Sequence, residues 1–230
     1  MAIGIIGAME EEVEGLRSLM KNTTIQTIAH TELIEGTLDG KDVVLVKSGI
    51  GKVNAALSTT LLLSQYDIEK VINIGSAGGA DESMEVGTVV ISDRVTHHDM
   101  DATAFGYVPG QVPQMPEAYD ADDMLVTLAE QAVEELAKYP SAKGLIASGD
   151  VFMSDATRVQ EACALFPNMI AFEMEAAAVA QVCHQFDCPF VVIRALSDIA
   201  GKESSISFDE FLPLAASHSI AIVRNVLSKL

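Results

Sequence analysis

Six residues of this 230-residue chain combine reactive side chains with a telling position: Glu12, Ser76, Glu175, Arg194, Ser197 and Asp198 each follow a short apolar run. Glu12 lies one helical turn beyond the run 2–7. Ser76 follows 71–74, Glu175 follows 169–172, and Arg194, Ser197 and Asp198 follow 189–193. Carboxylates hold and move protons, and open α/β sheets bind ligands just beyond the carboxyl ends of their strands. The six are therefore placed to converge on one cleft. Each alone has a plainer reading. The acids 10–14 suit the first turn of a helix, where they complement its dipole, and Asp198 suits the cap of a turn. The set argues for chemistry more than any member does.

The elements that must position these residues are legible in the pattern of the chain. The run 2–7 is a strand closed by glycine, and 9–20 carries helical spacing at Val13, Leu16, Leu19 and Met20. Strands at 25–29 and 33–38 flank a polar joint, and Asp39-Gly40 signals a hairpin into 43–46. Gly49 and Gly51 lead into a helix over 52–64, after which a strand at 71–74 runs into what reads as a glycine loop, 75–79. A strand at 88–95 precedes a long connection, 97–119, whose aromatic content favours a functional loop. Alternation follows: helix 122–138, strand 143–147, helix 155–165, strand 169–172, helix 175–186, strand 189–195. Alternation of this kind implies crossover units with parallel strands. Ser207 and Glu210 have capping-box spacing for a last helix, with Pro213 either kinking it or marking its first turn. The expectation is one α/β domain, a three-layer sandwich around a mixed central β-sheet.

Composition narrows the function. Lys+Arg number 14 against Asp+Glu 33, a net charge of -19, which argues against nucleic acid, whose binding draws on cations that neutralise phosphates. A hydrophobic share of 49% excludes a disordered chain. The longest charge-free stretch, 102–116, is shorter than the roughly 18 to 20 residues a bilayer needs and carries Pro109, Pro113 and Pro116, so no membrane span is expected. No basic residue precedes the first apolar run and Glu10, Glu11 and Glu12 follow it, which is not a secretory pattern; a cytoplasmic protein is expected. Cys163, Cys183 and Cys188 make an odd count with no C-x-x-C pair and read as reduced, buried thiols.

Several motifs fail on inspection. Gly51-Lys52 lacks the upstream glycine, where Val46 stands, and the hydroxyl of a phosphate loop, where Val53 stands. Gly49-Ile50-Gly51 has Asn54 in place of the third small residue of a dinucleotide fingerprint, and the 75–79 run lacks the spacing of a hydrolase elbow. His97, His98, Asp99 and Asp101 have no metal-ligand spacing and read as a solvated or capping loop.

Taken together, Gly7 to Glu12, Lys47 to Lys52, Gly75 to Gly79, Ala104 to Tyr107, Ser148 to Asp150, Phe172 to Ala176, Arg194 to Asp198 and Ser207 to Phe211 resemble, in order and over nearly the whole chain, the bacterial 5'-methylthioadenosine/S-adenosylhomocysteine nucleosidases. The resemblance implies a nucleoside phosphorylase-like fold, a homodimer, no cofactor, no metal, and cleavage of an N-ribosidic bond by water in a small nucleoside, 5'-deoxyadenosine included. It implies Asp198 as proton donor to adenine N7 and Glu12 as base toward water. Glu175 would bind the ribose hydroxyls, with Arg194 holding Glu175 or the water, and Ser76 and Ser197 in support. Such a cleavage leaves an electron-poor sugar and an electron-rich purine, so two acids with different tasks suit it. A donor near pH 7 needs a raised pKa, which apolar Ile193, Ala195 and Leu196 would favour. Phe152 corresponds to the ring stacked on adenine, with Met153 and Gly78 beside the base and Met174 under the ribose. Met9, Ile50 and Phe208 would line the alkylthio tail, and Phe105 and Pro113 would be lent by a second subunit. The resemblance implies methionine salvage and the activated methyl cycle as the setting. Two rivals stand: a phosphate-dependent purine nucleoside phosphorylase, which would want converging cations, and a non-catalytic nucleoside-binding module, which would need neither acid.

Overall fold

The computed structural model describes residues 1–136, 138–202 and 204–230, with backbone only at 204–207. Strand β1 (Ala2–Gly7), helix α1 (Glu10–Leu19), strands β2 (Lys21–Ile28), β3 (Thr31–Leu38) and β4 (Lys41–Lys47) and helix α2 (Lys52–Gln65) form the first half. Strands β5 (Ile68–Gly79) and β6 (Val89–His97) follow, then a 3-10 turn at Thr103–Phe105 and the short β7 (Tyr119–Asp120). Helix α3 (Asp123–Leu136), β8 (Ser141–Ser148), α4 (Ala156–Leu165), β9 (Met169–Glu173), α5 (Ala176–Gln185), β10 (Phe190–Ile199) and α6 (Ser204–Lys229) complete the chain.

β1 is apolar on both faces because it lies between parallel β4 and β5, with helices above and below. From β4 the sheet runs out through antiparallel β3 to β2, an exposed edge of Lys, Asn and Thr that resists further pairing. The β3–β4 turn places Asp39 and Gly40 both at positive φ, the geometry of a tight hairpin. Beyond β5 the sheet closes on itself, since β5 pairs with both β9 and β10, and β10, β6, β8 and β9 pair in sequence. Helix α6 packs on β10 and β5 between α1 and α3, while α2 and α5 pack together on the opposite side. The result is a single α/β domain with a mixed central sheet between two helical layers.

Where the structure departs from the sequence reading, it does so at the functional end. The glycine run 75–79 is not a loop: β5 continues through it, parallel to β10 and then antiparallel to β9. β10 likewise extends past Ala195, so Ser197 and Asp198 are on the strand and not beyond it. α6 opens at Ser204, a turn before the expected Ser207 cap. The Ser207 side chain itself lies outside the described residues, and Pro213 stands inside the helix rather than in its first turn. The segment Phe208–Lys229 is long and apolar enough to cross a membrane, yet its apolar side is used as core against the sheet. Of the three free thiols only Cys183 is buried; Cys163 and Cys188 are half-exposed.

Candidate active site

β5 runs beside β1 as far as the pairing of Ile6 with Asn73, then leaves it to join β9 at Gly78. That parting opens a cavity of about 410 Å³ at the carboxyl ends of the strands. Its wall includes Met9, Glu12, Ile50, Ser76, Gly78, Phe152, Met153, Met174, Glu175, Arg194, Ser197, Asp198 and Phe208. Phe105 and Pro113 do not reach it; both are exposed on the surface, Phe105 to 84%.

Glu12 differs from its acidic neighbours. Glu10 pairs with Arg17 and Lys47 at the surface, and Glu11 and Glu14 face solvent, so the dipole reading holds for them. Glu12, one position further round, turns inward and is 2% exposed. Its Oε2 accepts the Ala8 and Met9 amides at 2.7 and 3.1 Å, two donors left over at the start of α1. Its Oε1 accepts the Ser76 amide at 3.0 Å and the Ser76 hydroxyl at 3.3 Å. Gly75 permits this approach: a Cβ there would sit 2.6 Å from Glu12 Oε1 and 2.2 Å from Arg194 Nη1.

Arg194 is buried in the floor. Its Nη2 donates to Glu173 at 2.5 Å and to Asn73 Oδ1 at 2.9 Å, with Glu175 Oε2 at 3.6 Å, and its Nη1 donates to the Ser76 carbonyl at 3.4 Å. Glu175 caps α5 and accepts the Gly51 amide at 2.8 Å. Gly51 is held at the head of α2, at positive φ, by the Lys52 amide on Asp150 and by Asp99, which takes both the Lys52 ammonium and the Asp150 amide. Burial, reinforced by the neighbouring Glu173 charge, pushes Glu175 up to about 8, against the opposing pull of Arg194 and the Gly51 amide. Asp198, on β10 opposite Gly78, accepts the Ser197 hydroxyl at 2.9 Å. At the mouth, Phe152 meets Phe208 edge-on at 5.8 Å.

Two members of the site escaped the sequence reading. Glu173 stands two positions before Glu175, a spacing that puts alternate residues of an extended segment on one face. Asn73 is the polar residue in the otherwise apolar buried run 71–74, and it also donates to the Ile6 carbonyl at 2.9 Å. Within 97–101 the histidines depart from the solvated or capping loop expected, since His97 is buried against Gln181 and His98 lies edge-on to Phe172, while Asp99 and Asp101 are exposed and Asp101 caps Thr103.

Buried acids flank a pocket at the strand ends of a mixed sheet that closes on itself, and the model of the phosphorylase superfamily matches residues 2–228. The chain is 60% identical over 230 residues to a 5'-methylthioadenosine/S-adenosylhomocysteine nucleosidase of Lysinibacillus sphaericus, covering 100% of both chains. Its fold superposes with a TM-score of 0.97 on the enzyme of that name from Neisseria meningitidis in complex with methylthio-immucillin-A, at 45% identity, covering 100% of this chain and 99% of that one. The TM-score is also 0.97 to the Colwellia psychrerythraea enzyme in complex with adenine, at 48% identity and 100% and 96% coverage. This chain belongs to the 5'-methylthioadenosine/S-adenosylhomocysteine nucleosidases of the phosphorylase superfamily, which are N-glycosyl hydrolases.

Proposed function

We propose that the protein hydrolyses 5'-methylthioadenosine and S-adenosylhomocysteine, and 5'-deoxyadenosine in the same way, to adenine and the 5-substituted ribose. The C1'–N9 bond breaks with its electron pair going to the purine. The Asp198 carboxyl gives its proton to N7, water adds to C1', and Glu12 takes the proton that water releases. Glu175 accepts the ribose hydroxyls, and Ser76 and Arg194 hold the water and the acids in register. Phe152 stacks on the base beside Met153 and Gly78, Met174 packs under the sugar, and Met9, Ile50 and Phe208 take the alkylthio tail.

The observation that carries the choice of water over phosphate is charge. Among the described lining residues Arg194 is the one Lys or Arg, beside Glu12, Glu173, Glu175, Asp198 and Asp209. A phosphate dianion entering that cavity meets repulsion in a medium of low dielectric, whereas water meets acceptors. The same acids argue against a non-catalytic binding module, which would not bury four of them. Adenine release from each nucleoside in phosphate-free buffer tests the reading; no release with folded protein contradicts it.

The protein acts as a homodimer in this reading. Residues 102–116 carry no charge; Phe105 and Val108 within them are exposed, as are Val53 and Leu57 of α2 and the cavity-lining Ile50 and Phe152. An apolar surface of this kind suits an interface core. Phe105 and Pro113 would then complete the partner's tail pocket. The cytoplasm, methionine salvage and the activated methyl cycle are the setting we assign.

A further inference from the structure

The carboxylates lining the cavity are not equally available to a ligand. Glu173 Oε1 takes the Ser148 hydroxyl, which is itself fixed by the Ala177 amide at 2.7 Å. Glu173 Oε2 takes the amides of Glu175 and Ala176 at 2.9 and 2.8 Å and the Arg194 Nη2 at 2.5 Å. A carboxylate has about four acceptor sites, so Glu173 is filled by the protein. Glu175 holds one amide, from Gly51 at 2.8 Å, and stands 3.6 Å from the guanidinium.

We propose that Glu173 is a positioning residue: by keeping Arg194 as its own partner it holds the guanidinium off Glu175 and leaves the acceptor sites of Glu175 open to ligand hydroxyls. The inference rests on the assignment of Glu175 to the ribose. Without the Glu173 charge, Nη2 has Glu175 as its next carboxylate, and a close pair with Arg194 would occupy the oxygens the sugar needs. No contact to the ligand is removed, yet binding and turnover both suffer.

The charge balance gives this a distinct signature. Glu175 is faced by Glu173 from β9, Arg194 from β10, Glu12 from α1 and the Gly51 amide at the head of α2, which is flanked by Asp150 and Lys52; Asp198 lines the same cavity. Glu173 raises Glu175 and Arg194 lowers it. Deleting the first and releasing the second act in the same direction, so Glu175 must ionise at lower pH.

The test is a carboxyl carbon-13 NMR titration of the full-length, ligand-free protein labelled at glutamate, with the Glu175 resonance assigned by its loss in Glu175→Gln. Wild type should titrate at about 8. In Glu173→Gln the midpoint should fall by about 1 pH unit or more, and kcat/KM for methylthioadenosine by about tenfold or more. Glu173→Asp, which keeps the charge, should recover part of both. Should Glu173→Gln not fold, Glu173→Asp stands in for it: its shorter side chain draws the carboxylate back from Nη2, and a smaller downward movement is expected. A midpoint that stays put or rises in whichever variant folds overturns the inference, even if turnover drops. Near-normal turnover by Glu175→Gln would instead overturn the ribose assignment on which it rests.

Discussion

The floor of the cavity and its rim are built on opposite terms. In the floor, Glu12, Glu173 and Arg194 each have three or more hydrogen bonds to fixed partners, many of them backbone amides at helix starts. At the rim, Ile50 and Phe152 are apolar and exposed, and the ring contact of Phe152 is with another mouth residue, Phe208. The floor is finished within one chain and preorganised, so its groups need not rearrange during reaction. In the proposed homodimer, a second subunit finishes the rim. Chemistry should therefore be sensitive to single atoms in the floor, and affinity to assembly at the rim.

The largest effect belongs to the acid. Asp198→Asn keeps the shape and removes the transferable proton, and kcat should fall about 100 to 10,000-fold; near-normal turnover by folded variant would show that Asp198 is not the donor. Its counterpart, Glu12→Gln, should lose turnover on a comparable scale while isothermal titration still finds nucleoside-analogue binding. If binding collapses with activity, Glu12 holds ligand rather than activating water.

Gly75→Ala sharpens the claim of preorganisation. The added Cβ collides with both Glu12 and Arg194, and Gly75 sits at φ +150. A displacement of about 1 Å in either group should cost on the order of 100-fold in kcat/KM, because near-attack geometry is lost. A variant of wild-type activity would mean that the floor tolerates rearrangement.

What the sequence disclosed follows the same division. Central strands such as β1 and β4 are apolar on both faces and stand out as continuous runs. The first residues of β2 did not, because an exposed edge strand needs no apolar pattern. The glycines at 75–79 looked like a turn, but they are there for close approach: Cβ atoms at Gly78 and Gly79 would lie 3.1 Å from Asp198 and 2.9 Å from Leu196. Buried Ser197 and Asp198 interrupt the apolar run of β10, which made the strand seem to end before the residues it carries. Acids near strand ends were visible because position alone marks them. Glu173, although it ends β9, and Asn73 were not singled out, since their importance lies in which buried cation they hold.

The smallest expected effect is at the rim. Phe105→Ala should weaken the dimer in light scattering on dilution and weaken nucleoside-analogue binding by roughly 5 to 30-fold, the range of an interface anchor worth about 1 to 2 kcal/mol. Added salt should not dissociate the proposed homodimer, since apolar burial must offset the repulsion of two subunits at -19 each. If dimer mass and affinity are both unchanged in Phe105→Ala, the rim is not completed across an interface.

Product analysis decides whether the acids of this site admit water and exclude phosphate. Wild-type protein is incubated with methylthioadenosine in phosphate-free buffer and again in saturating phosphate, with phosphorus NMR following the sugar. Equal adenine release is expected in both, with a free reducing thioribose and no sugar phosphate signal. Adenine release that requires phosphate, with a sugar 1-phosphate as product, would contradict it.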